Sequence, residues 1–219
     1  MRLRRAWLTL AGVAVVAVPG ALRAQAALEL GPFIGVYAPV GSLGTPNEQG
    51  PLPTKASDLR ALAWGAVGRL WFNARLAIEL QGAVAASQFG GGEYLVCGIV
   101  PSGCSLTPPK EARVVTLAAQ VLYRPSPIGF PVWFSAGAGV VQHGGAAYAN
   151  AGIGAPRRLA GALGFGLDQH LGRRLTATLG VTTFIYSLEV DDGFGGSVMH
   201  GLHSDVLARL ALAWRTRVG

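Results

Sequence analysis

Residues 62–87, LAWGAVGRLWFNARLAIELQGAVAAS, constrain the fold more than any other stretch. On both sides of Asn73-Ala74-Arg75, apolar side chains recur at every second position. Leu62, Trp64, Ala66, Leu70 and Phe72 share one face of the first arm, and Leu76, Ile78, Leu80, Val84 and Ala86 share one face of the second. A period of two is that of a β-strand whose two faces meet different surroundings. The other face is not the charged surface of a soluble sheet. It carries Gly65, Val67, Arg69, Glu79, Gln81 and Ser87, and a turn centred on Ala74 sets Arg69 directly opposite Glu79. A continuous apolar face backed by small residues and isolated charges describes a hairpin whose outside meets lipid.

The rest of the chain agrees with that inversion. Only 13% of its 219 residues are charged, against about a quarter in soluble domains. No internal run reaches the roughly 20 apolar residues that a membrane-crossing helix needs. Closed β-barrels are the other structure that satisfies its backbone inside lipid. A soluble lipocalin-like carrier is the architectural rival, but it would turn its apolar side chains inward.

Residues 1–26 read as a signal peptide. Arg2, Arg4 and Arg5 precede an apolar core, Pro19-Gly20 breaks it, and Ala24-Gln25-Ala26 supplies a small-x-small cleavage site. Cleavage is expected after Ala26, with Ala24 as the alternative. Removing this segment takes Arg2, Arg4, Arg5 and Arg23 from a formal charge of +7, so the basic balance is largely the leader's and no nucleic-acid partner is expected.

Residues 27–219 then form one domain of about eight strands, expected at 27–40, 62–72, 76–87, 112–123, 132–143, 158–168, 175–190 and 205–214. Alternation blurs around Thr183–Tyr186, where a bulge or an aromatic girdle is expected. Long connections at 41–58, 88–111, 144–157 and 191–204 alternate with short ones. The short turns and the tail hold Arg75, Arg124, Arg173, Arg174, Arg215 and Arg217 without an acid. Long loops on one side and tight turns on the other imply that both termini lie on the periplasmic side.

With its first strand, LELGPFIGVYAPVG from Leu28, and its closing strand, DVLARLALAW from Asp205, the chain resembles the small outer-membrane β-barrel family that includes the OmpA, OmpX and OmpW types. The resemblance implies a closed, all-β, antiparallel up-and-down transmembrane barrel in a bacterial outer membrane, with outer-membrane lipids and the barrel-assembly machinery as partners. Members commonly end on an aromatic residue read by that machinery. This chain runs on through Arg215 to Gly219, which leaves Trp214 to serve.

An eight-stranded barrel is just wide enough for its own side chains to fill it. Charges inside must therefore pair or meet trapped water. Arg69 with Glu79 is the first expected pair. Glu29 with Arg209, on the two strands that close the barrel, is the second. A salt-bridged plug and a gated pore are the two readings of these residues. Cys97 and Cys104 are the only cysteines, and in an exported chain an even count suggests one disulfide.

Chemistry is harder to find. No cofactor or metal site is expected. Some small outer-membrane barrels are lipid A deacylases or acyltransferases that combine His, Ser and an acid, and the candidates here are His143, His200, His203, Ser204 and Asp205. His203 and Ser204 are adjacent, so within a strand they face opposite ways. The histidines are expected in loops or at the rim. The expected job is structural or surface-interactive, carried by the four long loops. A channel for small solutes or hydrophobic molecules is the first alternative, and a lipid-modifying enzyme the second.

Overall fold

A computed structural model describes residues 26–40, 60–89, 95–97, 104–106, 110–126, 131–146, 157–190 and 199–218. Residues 1–25 of the expected leader, with the Ala24 cleavage site, lie outside these residues, and Ala26 is the first residue described. All of the 41–58 connection and the interiors of the other long loops lie outside them too. Among the described residues no helix is long and apolar enough to cross a membrane.

Eight strands close into one antiparallel barrel: β1 (Ala26–Val40), β2 (Ala61–Trp71), β3 (Leu76–Phe89), β6 (Lys110–Tyr123), β7 (Val132–Gly144), β8 (Arg157–His170), β9 (Leu175–Val190) and β10 (Met199–Val218). Two short strands, β4 (Leu95–Cys97) and β5 (Cys104–Leu106), pair with each other inside the 88–111 connection. Each barrel strand pairs with its sequence neighbours, and β1 meets β10 to close the wall.

The first hairpin has the expected register, with Arg69 opposite Glu79. Its turn is tied by the Asn73 side chain, whose Oδ1 accepts the backbone N–H groups of Arg75 and Leu76 at 2.8 and 2.9 Å. Such short polar side chains stabilise turns because they replace a missing backbone partner. The turn after β8 uses Gly172 at φ 99°, a conformation that favours glycine.

Register also sets the shape. From Glu29, paired residues run through Arg69, Glu79, Gln120, Gly137, Ala162, Phe184 and Asp205. They return to β1 at Pro39, ten residues beyond the start. For eight strands that stagger corresponds to a tilt of about 40° and a lumen that side chains can fill.

The alternation is inverted throughout. Ile34, Trp64, Leu80, Leu117, Phe134, Leu163, Leu179 and Leu210 all lie exposed on the outer face. Phe33, Val67, Ala118, Phe184 and Leu207 point inward and are buried. An outer band of that kind is stable only against hydrocarbon, so a charge placed in it should be costly. Leu163 stands near the middle of β8 and is about half exposed. Leu163→Arg is expected to cost the barrel about 2–4 kcal/mol in lipid, measured by urea unfolding in vesicles. A negligible change would contradict a lipid-facing position.

Three expectations about the strands need correction. No bulge or girdle occurs at Thr183–Tyr186: β9 keeps continuous register with both β8 and β10, and Phe184 and Tyr186 turn inward. The alternation looks blurred there because the lumen at that level is lined by aromatic residues. The 191–204 connection is also shorter than expected, since β10 begins at Met199 and takes in His200, His203 and Ser204. The 88–111 connection yields its ends to β3 and β6 and encloses the β4–β5 ribbon. Polar strand ends extending past the apolar band explain both shifts.

One break interrupts the wall. Leu30 pairs with Trp214 and Phe33 with Ala211, but Gly31 and Pro32 between them have no partner on β10. Proline has no N–H to give to the ladder. The β10 backbone passes so close to Gly31 that a Cβ there would lie 2.6 Å from the Cα of Ala213. Beside this break lies an apolar slot of about 380 Å³, lined by Pro32, Phe33, Ile34, Ala177, Leu210, Ala211 and Leu212.

Candidate functional site: the barrel lumen

Order along the strands divides the lumen into levels. On β1, Glu29, Phe33 and Tyr37 point inward in sequence; on β10, Arg209, Leu207 and Asp205 do so from the same end. A charged level near the short turns is thus followed by an apolar layer, then by a second polar level towards the long loops.

The charged level is built around Arg69. Its Nε donates to Glu79 Oε2 at 2.6 Å, and its Nη1 donates to Asp168 Oδ1 at 2.8 Å. Asp168 also accepts from Arg124 Nη2 at 2.6 Å, Thr178 Oγ1 at 2.8 Å and Trp133 Nε1 at 3.1 Å. Arg209 completes the network, with Nη2 2.5 Å from Glu79 Oε1 and Nη1 bonded to Gln81 Oε1. Three guanidinium groups and the carboxylates of Glu79, Asp168 and Glu29 are therefore packed together in the absence of bulk water. Pairing at these distances offsets a desolvation cost of several kcal/mol per ion.

Aromatic rings form part of the same level. The guanidinium carbon of Arg69 lies 4.8 Å from the Trp133 ring centroid, and that of Arg124 lies 4.2 Å from the Trp71 centroid. Trp133 fits because its neighbours are glycines: a Cβ at Gly180 would stand 3.1 Å from the indole, and one at Gly166 would overlap it.

The first expected pair, Arg69 with Glu79, meets as its register requires. The second does not. Arg209 reaches Glu79 and Gln81, while Glu29 is 4.0 Å from Arg69 Nη1 and 3.7 Å from Arg215 Nε. Closure register is the reason, because β10 places Arg215 opposite Glu29 and Arg209 opposite Gly35. Arg124 is a further departure: its backbone stays at the short-turn end, but its side chain turns inward to Asp168.

Above the charges, Phe33, Val67, Ala83, Ala118, Phe184 and Leu207 belong to one buried apolar cluster. Beyond it, Asp205 gathers the second polar group. Its Oδ2 accepts from Tyr186 at 2.6 Å and from the Tyr37 hydroxyl. His143 Nε2 lies 3.5 Å from Oδ2, and His203 Nε2 lies 3.3 Å from Oδ1. His143 and His203 are therefore buried lumen residues, contrary to the expectation of a loop or rim position. His143 shares the inward phase of Val141, and His203 that of Asp205 and Leu207.

That cluster has neither the geometry of a hydrolytic triad nor that of a metal centre. Ser204 follows His203 and faces the other way in strand phase, while the buried hydroxyl of Ser135 donates to Gln120 at 2.6 Å, a contact within the charged half of the lumen. The two imidazoles approach different oxygens of Asp205. Among the described residues, no three His, Cys, Asp or Glu side chains converge as a metal would require. Tyr37 and Tyr186 were not singled out by the sequence, although the in-phase spacing His203-x-Asp205 was a usable signal.

No protein-family model matches the chain, and no curated protein does. Similar solved structures exist. AlkL, determined by solid-state NMR in DMPC bilayers, superimposes with a TM-score of 0.51 at 14% identity, over 92% of this chain and 94% of its own. OprG from Pseudomonas aeruginosa gives 0.47 at 13% identity, over 89% and 97%. Ail, the attachment invasion locus protein of Yersinia pestis, gives 0.44 at 11% identity, over 88% and 98%. The fold is thus that of the small eight-stranded outer-membrane barrels.

Proposed function

We propose that this protein is an integral outer-membrane barrel whose closed lumen anchors a surface formed by its long loops. The observation that carries this reading is the burial of the inward side chains. Arg69, Glu79, Phe33, Phe184, Leu207 and Asp205, spread along the barrel's length, are all almost inaccessible to water. A conducting pore would leave some of them wet. The apolar outer band supports the location, and the AlkL-like fold agrees with it. In this reading the segment before the barrel is a leader cleaved after Ala26 or Ala24, both termini are periplasmic, and outer-membrane lipids and the barrel-assembly machinery are the partners. Residues 41–58, 88–111, 144–157 and 191–204 are the surface that meets any external ligand.

A non-enzymatic role is part of the proposal: Ser204 follows buried His203 but faces the other way in strand phase, so the two do not form a nucleophile–base pair. The paired positions of Cys97 and Cys104 on β4 and β5 favour a disulfide that braces one of the loops. Intact-mass measurement before and after reduction and alkylation decides that point. The test of the whole reading is cell fractionation with gel migration before and after boiling. Recovery in the outer membrane with a heat-dependent shift is expected, and recovery in the soluble periplasm would overturn it.

A second reading has one specific observation in its favour. The apolar slot beside Pro32 joins outward residues such as Ile34 and Leu210 to inward Phe33 and Ala211. A hydrophobic molecule passing through the wall would use that seam.

A further inference from the structure

The three short turns lie at one end of the barrel, and that end carries an unopposed positive charge. Arg75, in the turn after β2, and Arg173 and Arg174, in the turn after β8, are exposed. None of the three makes an ion pair among the described residues. The acids nearest that end, Glu29 and Asp168, are buried within the lumen network. The exposed acid Glu111 lies at the opposite end, where β6 begins.

Two aromatic side chains fix the depth of these arginines. Tyr123 pairs with Leu76, next to Arg75, and Trp214 pairs with Leu175, next to Arg174. Both rings are about half exposed on the outer face. Aromatic residues at the edge of an apolar band mark the headgroup level. Arg174 reaches across to Trp214, with 5.8 Å between guanidinium carbon and ring centroid. Backbone bonds hold the turns in place, since Arg124 N–H donates to the Arg75 carbonyl at 2.8 Å and Arg215 N–H to the Arg174 carbonyl at 2.7 Å.

We propose that Arg75, Arg173 and Arg174, with Trp214 and Tyr123, form a collar that binds anionic phospholipid headgroups in the leaflet facing the short turns. Charge, depth and chemistry agree on this occupant. Guanidinium groups bind phosphate oxygens in paired hydrogen bonds, and the aromatic rings place the arginines where phosphates lie. A soluble acidic protein would gain from the charge but not from rings at the lipid boundary.

The test is native mass spectrometry of the full barrel released from nanodiscs containing equal phosphatidylglycerol and phosphatidylcholine. The barrel is expected to retain phosphatidylglycerol preferentially. Arg75→Gln/Arg173→Gln/Arg174→Gln should reduce that preference, by about five-fold per arginine at low salt. Arg113→Gln/Arg157→Gln, at the exposed long-loop end, should leave it intact. Equal retention of both lipids by the unaltered barrel would overturn the proposal. So would a preference unchanged in the collar variant, or one lost equally in both variants. Heat-dependent gel migration of each variant separates a lost site from a lost fold.

Discussion

Arg69→Met is expected to destabilise the barrel by about 3–5 kcal/mol, the range for breaking one side of a buried ion network. The guanidinium touches Glu79 and Asp168 directly, and both carboxylates stay in the lumen when it is gone. Arg209 would still hold Glu79, and Arg124 would still hold Asp168. Two carboxylates would nevertheless lose a partner where water cannot replace it. Urea unfolding in lipid vesicles, followed by tryptophan fluorescence, measures the effect. Arg69→Met/Glu79→Met removes opposite charges together and should recover part of the loss, because a vacated partner is what costs most. A double variant less stable than Arg69→Met by the full cost of Glu79→Met alone would mean that the two residues act independently.

Trp133→Ala is the other large effect, again about 3–5 kcal/mol. The indole is buried, packs over Gly166 and Gly180, donates to Asp168 and faces both Arg69 and Arg209. Alanine would leave a cavity beside charged groups, and water entering it would weaken the ion pairs around it. Loss of stability should therefore be accompanied by faster hydrogen exchange at Asp168 and Gly180. A stability change below about 1 kcal/mol would show that the lumen repacks and that the tryptophan does not organise it.

The architecture was legible because a membrane inverts an ordinary pattern. Leu62 to Ser87 alternates strictly, and its minor face contains residues that neither water nor lipid selects, such as Gly65 and Arg69 together. Arg69 opposite Glu79 followed from one short turn, since Asn73 to Arg75 leaves little freedom of register. Pairing across the closure did not follow. No turn connects β1 to β10, and nothing local distinguishes Arg209 from Arg215 as the neighbour of Glu29. Only closure with a ten-residue stagger decides it. The Asp205 group was obscured for a different reason. His200 to Asp205 has the composition of a loop, and a strand rising beyond the apolar band loses the signal that identifies strands. His203, Asp205 and Leu207 kept the inward phase all the same, which was the available clue.

The closed lumen is the claim on which the proposed anchoring role rests, and single-channel recording in planar bilayers tests it most directly. The purified barrel should give no discrete conductance steps across a neutral bilayer in symmetrical salt. Arg69→Gln/Glu79→Gln is the companion measurement, because it disconnects the charged level while retaining its bulk. Stable steps from the unaltered protein, unchanged in size by that double substitution, would show that ions follow an open path past the network and would contradict the closed lumen.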